Sequence, residues 1–219
     1  MPDTAEIKAY KILKDLIISG ELPPDEFLSQ RMLAKKVNGS VISVRGALRR
    51  LENDGLIESV PRWGVRIPKE TEETIRDRYF IREILEAGAV ERIVAAGNPE
   101  DAQVIRQAAA TCDQMTIPDP KLIPVFAEKH LDFHICIARR SRSPLLVRFM
   151  ERLNIKSMML INAKRGWARG FEKSTTHHMD LADCILSGDR QQATKAIIQH
   201  VRKGLKAERE AIEQGKEKT

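Results

Sequence analysis

The stretch from Phe27 to Ile67 constrains the fold of this 219-residue chain more than any other. Its helix stop and start signals sit at intervals that fit two short helices and a hairpin. Ser29 is placed to cap a first short helix on which Leu33 and Val37 share a side. Asn38-Gly39 breaks that helix, and Ser40 can cap the next. On the second helix Val44, Ala47, Leu48 and Leu51 recur at i, i+3, i+4, i+7 and form an inner face. Arg45 and Arg49 lie one turn apart on the opposite side. Asp54-Gly55 ends the helix, and Leu56 to Ile67 predicts two extended segments around an Arg62-Trp63-Gly64 tip.

Charge gives this stretch a direction. Between Phe27 and Leu51 stand Arg31, Lys35, Lys36, Arg45, Arg49 and Arg50, with no acidic residue. The net charge of +6 says little alone, and residues 1–69 hold 12 basic against 9 acidic groups. The signal is therefore arrangement rather than total. A cationic helix after a tight turn suits the major groove of double-stranded DNA, which admits one helix. Basic groups then neutralise phosphates, while exposed positions near the helix start reach base edges. Any one of these arginines alone reads better as a solvated surface charge. The DNA-binding reading rests on caps, turn, acid-free face and glycine-tipped hairpin together.

Those residues resemble the winged helix-turn-helix of the GntR transcription regulators, and the likeness covers nearly all of the first 67 residues. It is carried by Leu33-Ala34, Ser40, Val44-Arg45, Ala47-Leu48, Leu51-Glu52, Asp54-Gly55-Leu56-Ile57 and Gly64. The resemblance implies that Arg31, Arg45 and Arg49 face DNA and that the wing tip enters the minor groove. The implied contact set is Arg31, Ser40, Arg45, Arg49, Arg62 and Gly64. Val41 stands where the family commonly has a base-reading Arg after the capping Ser, so its usual operator sequence is not carried over. Gly46 replaces a frequent Glu, which weakens the helix by roughly 1 kcal/mol relative to Ala.

Around this unit the chain reads as mainly α-helical: three helices and a β-hairpin wing in residues 1–69, then an antiparallel all-helical bundle in 70–219. Asp3 and Glu6 are a capping pair for a first helix running to Gly20, with Ile7, Tyr10, Leu13, Leu16 and Ile17 as its inner stripe. Pro68-Lys69-Glu70 marks the boundary. Beyond it the spacing predicts helices from Thr71 to about Ala96, from a cap at Asn98 to about Met115, and from about Pro124 to Arg139. Further helices run from Pro144 to about Lys164, from about Ser174 to Ser187, and from a cap at Asp189 with Gln192 to a disordered KEKT tail. Gly166 and Gly170 belong to a loop. Cys112, Cys136 and Cys184 form no CxxC pair and read as small buried residues in a reducing cytoplasm. The polar amino terminus lacks a signal-peptide core, and no apolar run is long enough to span a bilayer.

All five histidines fall between residues 130 and 200. His130 and His134 are one turn apart and aligned with Phe126 and Ile137. His178 shares a face with Leu181 and Ile185, and His200 with Ala193, Ala196, Ile197 and Val201. Histidines on three inward stripes are what a bundle needs to gather imidazoles around one metal, and an i, i+4 pair is a good chelating start. Each is also readable as a hydrogen-bonded core histidine, and spacing alone does not show that the helices converge. His177 reads as solvent-facing.

Residues 70–219 resemble the FCD ligand-binding domain of the FadR-type GntR subfamily. The likeness is carried by Arg82-x-x-x-Glu86, Phe133-His134, His178 with Leu186-x-Gly188-Asp189, and His200. Such domains bind a divalent metal through an Asp and three His beside a small carboxylate effector. Here the Asp position is His130, which makes the implied ligand set His130, His134, His178 and His200 all nitrogen. Imidazoles favour Zn²⁺, with Ni²⁺ next, over Mg²⁺ or Ca²⁺. Arg82 is the candidate second contact to the effector carboxylate, or else an i, i+4 surface partner of Glu86. Arg142-Ser143-Pro144 replaces a usual Asn.

The function expected is a homodimeric transcription regulator whose operator affinity is controlled by a small organic acid near a His-bound metal. One alternative is a metal sensor with no organic effector. A more distant one is a metal-dependent hydrolase using Asp132 or Asp180 as general base, although neither shares a face with the histidines and no nucleophile or phosphate-cradling loop is evident.

Overall fold

The computed structural model describes residues 4–19, 21–68, 71–115, 119–153 and 177–216. Asp3, Gly20, the expected end of the Pro144 helix, the Gly166–Gly170 loop, the expected start at Ser174 and the last three residues lie outside them. The chain divides into two compact units, Met1–Thr71 and Glu72–Thr219.

In the first unit α1 (Ala5–Ser19) is capped by Thr4, whose hydroxyl accepts from the Ile7 amide at 3.3 Å. α2 (Gln30–Lys36) starts at Ser29, which accepts from Met32 N at 3.1 Å, and α3 (Val41–Asn53) starts at Ser40, which accepts from Ser43 N at 3.0 Å. The expected inner face of α3 is buried throughout at Val44, Ala47, Leu48 and Leu51. It packs with Leu33 and Val37 of the preceding segment and with Leu13 of α1. On α1 the fully inward line is Ala9 and Leu13, flanked by half-buried Tyr10, Leu16 and Ile17. Gly46 faces α1, where an added Cβ would run into the Glu6 side chain. Tyr10 donates to Asp54 at 2.5 Å and carries the Arg50 guanidinium 4.6 Å above its ring, so Arg50 ties α3 back to α1.

The wing is an antiparallel pair, β1 (Glu58–Val60) and β2 (Gly64–Arg66), with Val60 opposite Gly64. Pro61 followed by a positive-φ residue, Arg62 at 73°, with Trp63 N bonded to Val60 O at 3.1 Å, is the pattern of a type II turn. Leu28 adds a third rung by exchanging backbone bonds with Val65 at 2.7 and 3.2 Å. This close approach explains Gly64. Its φ is 107°, and a Cβ there would meet the Leu28 carbonyl oxygen at 2.7 Å.

The second unit is all helical among the described residues. α4 (Glu72–Ala96) packs against α6 (Ile123–Arg140) and against α9 (Arg190–Lys216). α5 (Pro99–Gln114) packs against α6 and α8 (His178–Leu186), while the short α7 (Pro144–Arg152) leans on α6. Side-chain caps fix three starts: Asn98 on Glu100 N at 2.9 Å, Ser143 on Leu146 N at 3.4 Å, and Asp189 on Gln191 and Gln192 N at 2.9 and 3.0 Å. Val90, Ile105, Phe133, Ile137, Ile185 and Ile197 form the centre. The Arg142-Ser143-Pro144 run has a structural account. Arg142, at φ 54°, forks onto the fully buried Asp101 at 3.0 and 3.3 Å, while Ser143 and Pro144 start α7. No described helix is long and apolar enough to cross a membrane.

The wing depends on the missing side chain at 64. Gly64→Ala is expected to lower stability by about 1–3 kcal/mol, the cost of forcing a side chain into positive φ against a backbone carbonyl. Chemical denaturation of the full chain would read this as a lower midpoint.

Candidate metal centre and DNA-binding face

Four imidazoles converge in the second unit. His130 and His134 project from α6 one turn apart, His178 opens α8, and His200 lies midway along α9. Their ring centroids lie 4.7–6.3 Å apart, and one nitrogen from each falls within 4.8 Å of the others. Phe133, fully buried, sets its ring 5.2 Å from His134 and 5.0 Å from His178 and closes the site with apolar surface. The sequence stripes therefore do meet. His177 is exposed, as its position indicates.

The rings are aimed by acids on two other helices. Glu86 of α4 accepts from His134 Nδ1 at 2.6 Å. Asp113 of α5 accepts from His178 Nδ1 at 2.6 Å and from the His178 and Met179 amides at 3.1 and 2.8 Å. Each carboxylate thus holds the proton on Nδ1 and turns a bare Nε2 inward, as carboxylates behind metal-binding histidines do. Burial would raise the Asp113 carboxyl, but the bonds from Met179 and His178 outweigh it and hold it below the ordinary carboxylate value. Asp113 also caps α8 from outside it, which no spacing in the sequence reveals. Glu86 was visible only as the i+4 neighbour of Arg82.

Burial and mutual repulsion decide the charge of the cage. His130, His134 and His200 are pushed well below the usual imidazole value, first by burial and then by neighbouring histidines and Arg82. His178 is lowered by burial as well, although Asp113 pulls the other way. All four are neutral at pH 7 and present lone pairs. His130 Nε2 is buried with no hydrogen-bond partner, a deficit of about 1–3 kcal/mol that a ligand would relieve. His200 Nε2 lies 3.4 Å from His134 Nε2, and Cys112 Sγ lies 3.6 Å from His178 Nε2. Burial pushes the Cys112 thiol up to about 12, so it is protonated and can donate weakly to that nitrogen.

Arg82 is not a surface residue. It is 4% exposed, with Nε donating to Glu86 at 2.5 Å and Nη2 lying 2.9 Å from His134 Nε2. Asp132 and Asp180, the bases a hydrolase would need, are both exposed, and Asp132 pairs with Lys129 at 3.4 Å.

In the first unit Arg31, Arg45 and Arg49 are exposed on α2 and α3, Ser40 caps α3, and Arg62 stands exposed at the wing tip beside half-buried Gly64. Trp63, 67% exposed, stacks on Phe27 with ring centroids 5.3 Å apart. Arg66, by contrast, is engaged with Glu58 and with Asp25 at 3.1 Å.

Comparison with known proteins gives these geometries a context. Residues 77–203 match the FCD domain, and residues 6–67 match the bacterial regulatory proteins of the gntR family. The HTH-type transcriptional repressor GlaR of Escherichia coli K12 is 26% identical over 208 residues, covering 89% of this chain and 91% of GlaR. The uncharacterised HTH-type regulator YdhC of Bacillus subtilis is 24% identical over 221 residues, covering 99% and 96%. Among solved structures, E. coli McbR/YncC superposes with a TM-score of 0.64 at 19% identity, over 94% of this chain and 99% of that one, a likeness of fold.

Neutral buried imidazoles make the metal-free protein acid-sensitive in a defined window. The unfolded chain takes up protons near pH 6.5, whereas the folded cage does so only at lower pH. Stability is therefore retained above pH 6.5 and lost as pH falls below it, by about 1.4 kcal/mol per pH unit for each histidine still neutral in the fold. Thermal melts of chelator-treated protein at pH 7.5 and 5.5 are expected to show the drop, and His130→Phe to reduce it.

Proposed function

Because the chain belongs to the GntR family of bacterial regulatory proteins and carries an FCD domain, it is a DNA-binding transcription regulator rather than an enzyme, and we propose that a small carboxylate bound beside a His-held divalent metal sets its operator affinity. The observation that carries this is the cage itself: four neutral imidazoles with converging nitrogens, one of them buried and unpartnered. His130, His134, His178 and His200 would hold the ion, which would supply a Lewis-acidic partner for an anion. Four nitrogen donors suit Zn²⁺ first and Ni²⁺ next, and Ni²⁺ keeps further positions open for a ligand oxygen.

Arg82 supports the carboxylate reading through its charge. Glu86 and Asp113 offset two of the three positive charges that a divalent ion and Arg82 would bring, so the loaded site stays cationic. Arg82 would have to give up His134 Nε2, and its guanidinium is then free to pair with an acid bidentately. A second reading, in which the metal alone is the signal, draws on the same contact, since Arg82 is already satisfied by Glu86 and His134. Titrating operator binding with Zn²⁺ alone, and then with small organic acids, separates the two. The sensor responds to metal, whereas the effector-gated regulator needs both.

Operator contact falls to Arg31, Ser40, Arg45, Arg49 and the wing residues Arg62 and Gly64, on bacterial chromosomal DNA in the cytoplasm. Two copies acting together would read half-sites about one helical turn apart. The exposed Phe80, Ile81 and Ile84 on α4 are an apolar strip that a second copy would cover. Effector binding would then shift the balance between dimer arrangements that fit or miss the half-sites.

Replacing Arg45 and Arg49 together by Ala is expected to abolish operator binding while leaving metal content unchanged. His134→Ala is expected to lower bound zinc below one per chain and to remove the acid response while the DNA-binding unit still folds. Full zinc occupancy in that variant, read by elemental analysis, would sink the four-histidine assignment.

A further inference from the structure

The first turn of α3 presents two aliphatic side chains where a groove-reading helix reaches base edges. Val41 is 42% exposed and Ile42 is 75% exposed, directly after the Ser40 cap. Ile42, Arg45 and Arg49 fall at i, i+3, i+7, and Val41, Arg45 and Arg49 at i, i+4, i+8, so both aliphatic residues lead the exposed cationic face rather than the buried one. Arg31, Lys35 and Lys36 lie exposed on the preceding helix α2, and the sequence carries no acid between Phe27 and Leu51. Neither side chain joins the core beneath, which is filled by Val44, Ala47, Leu48 and Leu51.

A side chain with no donor or acceptor cannot bond a base edge. It can only gain by covering apolar surface, and the apolar feature of the major groove is the thymine C5-methyl. The surrounding cations select a polyanion as the occupant of this face, and its apolar lead selects where on that polyanion it rests. We infer that Val41 and Ile42 are specificity-determining residues that read thymine methyl groups, in place of a hydrogen-bonding readout at the start of α3. This rests on the reading above that α3 lies in the major groove, with Arg45 and Arg49 supplying its electrostatic hold.

The test uses full-length protein and a duplex selected by the wild type from a randomised pool. Each dT of that duplex is replaced in turn by deoxyuridine, which lacks only the C5-methyl. Wild type is expected to bind about fourfold more weakly at one or two positions per half-site, the worth of one buried methyl group. Ile42→Ala should bind the parent duplex as weakly as wild type binds the uracil form and be indifferent to the replacement at the position Ile42 covers, whereas Arg45→Ala should weaken all duplexes and keep the methyl preference. If wild type binds every uracil duplex as tightly as its parent, or if the Val41→Ala, Ile42→Ala double variant keeps the uracil penalty, the inference is overturned while α3 remains a groove-binding helix. If no duplex is enriched at all, both the inference and the groove reading fail.

Discussion

The second unit is organised by a desolvation problem. Four imidazoles from α6, α8 and α9 are packed so closely, and so withdrawn from water, that all four are shifted toward the neutral form. Neutral imidazole carries one donor and one acceptor, so every ring must still place one N–H and one lone pair. Glu86 and Asp113 take two of the N–H groups on the outer side. Inside, Arg82 meets the His134 Nε2 and the Cys112 thiol meets the His178 Nε2, while His200 Nε2 lies 3.4 Å from His134 Nε2. The cost is visible at His130, whose buried Nε2 finds no hydrogen-bond partner.

The acids that solve the outer half of this problem also build the fold. Asp113 accepts two backbone amides at the start of α8, so the bond that orients His178 is the one that begins its helix. Glu86 joins α4 to α6 through His134 and holds Arg82 in the same buried cluster. Position, tautomer and helix packing are therefore one arrangement. The cage is thereby bonded directly to α4 and α5.

Much of this was legible in the sequence because it is carried by local rules. The caps at Ser29, Ser40, Asn98 and Asp189, the inner face of α3 and the glycine at the wing tip each follow from residue type at a fixed offset. The histidines lay on inward stripes, so their burial was readable, but their convergence was not, since it depends on how α6, α8 and α9 pack. Asp113 and Cys112 were invisible for the same reason: they come from a helix with no histidine and meet the site only in three dimensions. Arg82 was ambiguous because an i, i+4 pair with Glu86 looks alike on a surface and in a core. Burial among α4, α6 and α9 decided it, and a pair worth little in water became part of a charged cluster.

Histidine at position 130 redistributes charge within this scheme. A carboxylate there would draw a hard cation and neutralise part of it, whereas an imidazole contributes a lone pair and no charge. Such a donor set would attract metal less by field and more by nitrogen affinity, which would narrow the choice of ion toward the borderline-soft metals. The uncancelled charge must be met from outside the ligand set. Glu86 and Asp113 would meet it only in part, and Arg82 would add to it, so a buried anion would complement a loaded cage. On the proposed reading, the histidine that would favour nitrogen-loving ions would also leave positive charge for an acid to meet, linking the choice of metal to the choice of effector.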